Sequence, residues 1–183
     1  MTVFNSLQPG VYTVDPTHTE IGFTARHMMV AKVRGTFHEF NAEVVVGQTL
    51  ADSTVTAEVQ MNSVDTRNED RDQHLRTSDF FDIENHPTMT FRSTEITETS
   101  MTGDLTIKGI TRPVTFDLEF NGVSPDPWGG TRAGFEATTE VHRKDWDLTW
   151  NVAVEGGGVL VSEKIKLHLD VELVAPAGDA TQV

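Results

Sequence analysis

Apolar and polar residues alternate one for one along most of the chain. Ile21, Phe23 and Ala25 alternate with Glu20 and Thr24, and Val33, Gly35 and Phe37 with Arg34, Thr36 and His38. This period of two places every second side chain on one face of an extended strand. After His38 the apolar phase slips by one, to Phe40, Ala42, Val44 and Val46, and a β-bulge between His38 and Glu39 is expected to absorb the slip. Further strands are read at 11–14, 55–61, from Met89 and Phe91 onward, from Leu105 and Ile107 through a turn at 108–113 into Val114, Phe116, Leu118 and Phe120, at 133–141 and at 165–173. That makes about eight or nine strands with no long helix.

Apolar-in, polar-out alternation suits antiparallel sheets with one solvated face, which leaves a β-sandwich or an up-and-down barrel. Several segments exceed the usual 5–6 residues of a strand. Long strands with short connections favour an all-β, eight-stranded antiparallel barrel. We expect one domain over 1–183, with its core at about 10–175 and a disordered tail at 176–183. Three stretches break the alternation and are expected at the rims. In 65–87, Thr66 and Glu69 read as a capping box opening a short helix, with Asp72 and Arg76 spaced to pair. In 141–158, Trp146, Leu148 and Trp150 precede a flexible run at Gly156-Gly157-Gly158. The segment 27–32 reads as one helical turn joining two strands.

The inward set is almost wholly apolar: Phe23, Phe37, Val59, Met61, Phe91, Leu105, Ile107, Phe116, Leu118, Phe135, Ile165, Leu167 and Leu169. In a sandwich these residues are simply core. In an eight-stranded barrel they either fill the interior or line a ligand cavity. Small residues among them (Ala25, Gly35, Ala57, Ala133 and Ala137) keep both outcomes open.

Charge and composition narrow the function classes. With 28 acidic and 14 basic residues in 183, the net charge is −14. Such a surface repels phosphate backbones and anionic headgroups, so neither nucleic acid nor stable membrane insertion is expected. There is no cysteine, hence no thiol catalysis, thiolate metal site or disulfide. Residues 1–10 carry neither the basic nor the apolar region of a secretory signal, so a cytoplasmic location is expected. The seven histidines are scattered without a His-Glu-x-x-His pair, and no metal is expected. Gly-x-Ser-x-Gly and phosphate-loop motifs are absent, so no catalytic residue is assigned.

Four ordered stretches nevertheless look familiar. Thr13-Val-Asp15-Pro-x-His18-Thr-x-Ile21-x-Phe23-x-x-Arg26-His27 leads to Val33-Arg-Gly35-x-Phe37. Ser63-Val-Asp65-Thr66, Arg71-Asp72-x-His74-Leu75 and Asp79-Phe80-Phe81-Asp82 follow, then Gly103-x-Leu105-Thr106-Ile107-x-Gly109-x-Thr111-x-Pro113-Val114 and Arg143-x-Asp145-Trp146. Together they resemble the YceI-like family of lipocalin-like polyisoprenoid-binding proteins, from about Gly10 to Val174. One departure stands out: Asp147 occupies a position where the family usually shows glycine.

The resemblance implies an extended barrel that holds a long isoprenoid, polyprenyl or quinone-like, with no other cofactor. It adds Phe80, Phe81 and Trp146 to the lining, with Leu75 and Ile83 also suited to plug or line a rim, as are Leu148 and Trp150. Arg26, His27, Asp72, His74, Arg143 and Asp145 are candidates to meet a polar headgroup, or else to scaffold the inserts. The expected role is sequestration or carriage by a non-enzyme, with a homodimer left open. The alternatives are an enzyme using Asp72, His74 or Asp145 on a prenyl substrate, and a filled barrel serving as an interaction module.

Overall fold

The computed structural model describes residues 3–154 and 158–177. Its strands are β1 (Gly10–Val14), β2 (Glu20–His27), β3 (Ala31–Phe37), β4 (Phe40–Val46), β5 (Thr54–Gln60), β6 (Val64–Asp65), β7 (Thr88–Ile96), β8 (Ser100–Ile107), β9 (Ile110–Pro125), β10 (Thr131–His142), β11 (Ala153–Val154), β12 (Gly158–Val159) and β13 (Lys164–Val174); among the described residues there are also an α-helix, α1 (Glu69–Arg76), and short 3-10 turns. Every pairing is antiparallel. The order β1-β4-β5-β7-β8-β9-β10-β13 returns to β1, closing an eight-stranded, lipocalin-like barrel. Closure pairs β1 with β13, the two edges that an open eight-stranded sheet would expose.

The seam is short. Only Thr13↔Val174 and Val14↔Leu173 join β1 to β13. The rest of that edge of β13, from Lys166 to Asp170, pairs with β2, and β3 and β6 continue the wall outward.

Several local expectations are corrected. The phase slip after His38 is not a bulge. β3 and β4 are not partners, since β3 pairs with β2 and β6 while β4 pairs with β1 and β5. The chain turns a corner at His38 and Glu39, held by His38 N–H to the Ser63 carbonyl (3.3 Å) and Gln60 N–H to the Glu39 carbonyl (2.9 Å). Each strand then chooses its inward face independently.

Segment 27–32 is a tight turn and not a helical one. Met28 and Met29 have φ of 51° and 60°, and left-handed residues cannot continue a right-handed turn. Helix α1 starts two positions later than expected: Asn68 is the N-cap, its side chain accepting from Arg71 N–H at 3.0 Å. Thr66 is drawn away from capping because its hydroxyl donates to Asp72 Oδ1 (2.6 Å) and accepts from Arg71 Nε (2.7 Å). Asp72 therefore does not pair with Arg76, which instead approaches Glu69 at 3.8 Å. Lys108 and Gly109, with φ of 52° and 75°, form the expected turn between β8 and β9.

The tail expected from 176 starts with Pro176 packed over Gly10, and 178–183 lie outside the described residues. Of the glycine run, Gly156 and Gly157 also lie outside them, while Gly158 pairs with Val154.

A polar cluster ties the β1–β2 connection to the β9–β10 turn. Arg132 Nη1 donates to Asp15 (2.7 Å) and Glu172 (3.1 Å), and its Nε to Asp126 (3.1 Å). Asp15 also meets Thr17 and His18 Nδ1. The Thr17 hydroxyl, then His18 and Arg132, hold the Asp15 carboxyl well below the usual range, and Asp15 followed by Glu172 raises the His18 pKa.

The lowered Asp15 stabilises the fold above its unfolded pKa of about 3.9, and that contribution is lost as pH falls through the folded value. The raised His18 contributes below its unfolded pKa of about 6.5 and is lost as pH rises through the folded value. An NMR titration should place the His18 midpoint above about 6.5. Asp15→Asn should lower it, leaving only the smaller effect of Glu172; an unshifted wild-type midpoint would contradict the pairing.

Candidate functional site

The barrel interior is not filled. An apolar cavity of about 320 Å³ runs inside it, and all fifteen lining candidates face it: Phe23, Phe37, Val59, Met61, Phe80, Phe81, Phe91, Leu105, Ile107, Phe116, Leu118, Phe135, Trp146, Leu167 and Leu169. Phe23, Phe91, Leu118, Leu167 and Leu169 lie inside the ring yet are only half-buried, because each packs against the core on one side and borders open space on the other.

Two glycines help keep the lumen open. A Cβ on Gly35 would collide with the ring of Phe23, and one on Gly103 with the ring of Phe91. Each ring therefore lies back against bare strand backbone and leaves the axis clear. Ala25, Ala42, Ala57 and Ala137 widen the tube further. Sequence reasoning missed Phe4 and Leu7, which reach the cavity from the segment before β1; no period marks that segment.

One end is closed by the two long inserts. Trp146, 2% exposed, donates its indole N–H to the Leu105 carbonyl at 3.0 Å. Leu148 and Met61 are buried beside it. From the other insert come Leu75, Phe80 and Phe81, the last 6.3 Å from the Phe37 ring. The inserts lock through aromatic contacts: His74 meets Trp150 edge-on at 4.6 Å and Phe80 at 5.1 Å, while Phe80 lies 5.3 Å from Trp150. Trp150 and Ile83, expected at the rim, are not on the cavity wall. Trp150 stacks behind it on His74, and Ile83 packs against the core. At the opposite end the wall turns polar and wet, with Leu50, Ser53 and Thr97 half-buried and Glu98 exposed.

The YceI-like domain model matches residues 12–173, nearly the whole wall of the barrel. The chain belongs to the YceI-like family. A UPF0312 protein of Staphylococcus epidermidis is 40% identical over 163 residues, covering 88% of this chain and 95% of that protein. The YceI protein of Campylobacter jejuni superposes with a TM-score of 0.70 at 28% identity, covering 83% of this chain and 90% of that one. A polyisoprenoid binding domain from Saccharophagus degradans shares the fold at TM-score 0.70 and 14% identity, covering 90% and 98%.

In this YceI-like chain the six headgroup candidates do not converge. Arg26 and His27 are exposed at the end of β2, and Asp145 is exposed near the second insert. His74 contacts Asp79 at 2.9 Å. Asp72 is buried but turned toward Thr66, accepting from its N–H and hydroxyl. Arg143 alone of the six reaches the cavity wall. Its Nε donates to the Ser162 carbonyl (2.9 Å), Nη1 to those of Leu148 (2.6 Å) and Trp150 (2.8 Å), and Nη2 to Val161 (3.4 Å). Burial lowers its pKa, partly offset by Glu163. Its role in this geometry is to rivet the second insert.

Asp15, His18 and Glu172 have metal-ligand proximity among the described residues, but Arg132 already donates to both carboxylates. Asp147 takes φ 57°, ψ 27°, the left-handed cap that glycine adopts without strain. This explains how the family's glycine position tolerates aspartate.

Two variants test these assignments by thermal unfolding. Asp147→Gly should stabilise the protein by roughly 0.5–1 kcal/mol, as the strain of a left-handed non-glycine residue is relieved. Arg143→Met strands the buried carbonyls of Ser162 and Leu148 and the half-buried one of Trp150, and should cost about 3 kcal/mol. An unchanged melting temperature would deny it the rivet role.

Proposed function

We propose that this protein binds the tail of a long-chain isoprenoid, of polyprenyl or quinone type, and sequesters or carries it without chemical change. The observation that carries this reading is the apolar cavity extending along the barrel from Trp146 to Leu50. Family membership supports it, as does the shared fold with a domain described as polyisoprenoid-binding.

Water leaves such a tube at a gain. Each ligand methylene transferred from water contributes about 0.8 kcal/mol. About ten of them give roughly 8 kcal/mol gross, near micromolar affinity before ordering costs are subtracted. A longer tail offsets those costs. A wall of hydrocarbon side chains discriminates by length and girth, since it offers few directional bonds to read.

Filling the tube tests the proposal without disturbing the wall. Ala25 and Ala57 both line the cavity, and phenylalanine at both positions adds volume where there is room. Native protein extracted with organic solvent should release an isoprenoid detectable by mass spectrometry. Ala25→Phe/Ala57→Phe should lower its occupancy at least tenfold while keeping the melting temperature. Wild-type occupancy in the filled, folded variant would refute the binding site.

A further inference from the structure

Tail binding leaves the ligand's other end undefined. We infer, on the basis of that reading, that the ligand ends in an uncharged group, and that this protein selects prenyl alcohols or quinone-type heads over prenyl diphosphates.

The closed end offers no anion site. It is floored by Met61, Trp146 and Leu148. The cation on its cavity face, Arg143, already donates from all three guanidinium nitrogens to backbone carbonyls. A diphosphate drawn to that floor would leave water for a hydrocarbon surround with its charge uncompensated, a cost that excludes it.

The wet end repels anions. It is bordered by the connections at 47–53 and 97–99, by segment 3–9 and by the β9–β10 turn. The first three contain no lysine or arginine, and the turn's Arg132 already donates to Asp15, Asp126 and Glu172. The first brings Asp52, the second Glu98, and β7 leads into the latter with Glu95. The neutral polar groups there are committed. Ser53 Oγ donates to the Thr49 carbonyl and accepts from Gly47 N–H, and Thr97 Oγ1 lies 2.8 Å from Ser100 Oγ.

A notch in the side of the wall meets the cavity at Thr19, Phe37 and Phe40. Its ionic groups are Glu20 and a His38 held by Asp65 at 2.8 Å. Cations gather instead around the floor: Lys32, Lys108, Lys144, Lys164 and Lys166, all the lysines of the chain, lie at the turns and strand ends on the Trp146 side. Ser100 to Leu105 along β8 alone separates the two ends by roughly 17 Å of extended chain, beyond the screening length of about 8 Å at physiological salt. A diphosphate at the mouth therefore meets carboxylates, and the arginine there, Arg132, is already held by three of them. An alcohol or quinone carbonyl meets only water and hydroxyls.

The test compares two ligands with the same tail. Geranylgeraniol and geranylgeranyl diphosphate are titrated against the lipid-stripped full chain by quenching of tryptophan emission. The alcohol should bind at least tenfold more tightly, and the gap should narrow in high salt and in Asp52→Asn/Glu98→Gln, both positions being exposed and outside the core. Equal or tighter binding of the diphosphate, with the alcohol still bound, overturns the selectivity alone. Failure of both ligands to bind overturns the tail-binding reading and this inference with it.

Discussion

Apolar space inside a protein tends to collapse, and here the hydrogen-bonded wall resists that collapse. Because β1 returns to β13, the circumference is set by ladder spacing between strands, not by how well interior side chains fit one another. Side chains that would otherwise meet at the axis are held apart by the backbone that carries them. The glycines behind Phe23 and Phe91 let the largest rings lie flat, so the tube stays clear despite its aromatic content.

The two inserts solve the complementary problem of ending the tube. A barrel rim exposes loop backbone, and one inserted between apolar walls must satisfy its carbonyls internally. Arg143 does this for the second insert, gathering carbonyls from Leu148, Trp150, Ser162 and Val161 around one side chain. Thr66, Arg71 and Asp72 do the corresponding work at the start of the first. The charged residues shared with the family are in this chain largely the means by which the floor is built.

The pattern of the wall was legible in the sequence because strands with one wet face must alternate. The period of two identified the long strands and twelve of the fifteen candidates now seen on the cavity surface, while Phe80, Phe81 and Trp146 came from the family resemblance. What it could not tell was which strands pair. A phase slip at His38 looks the same whether the chain bulges or turns a corner. The Met28-Met29 turn carries none of the glycine or asparagine that usually marks left-handed backbone. Thr66 had the spacing of a cap, but the tertiary pull of Asp72 and Arg71 won. Open space was likewise beyond local patterning, since it depends on Gly35 lying beneath Phe23 from a neighbouring strand. The six polar candidates shared sequence motifs and not a common point in space.

A fixed floor turns the barrel into a caliper. Trp146 is pinned to Leu105 and cannot recede, so a hydrocarbon chain gains from each added carbon only until it spans the distance to the rim. Beyond that length extra units protrude into solvent and contribute nothing. Substitutions that raise or lower the Trp146 floor would regrade the scale without altering the chemistry of the wall.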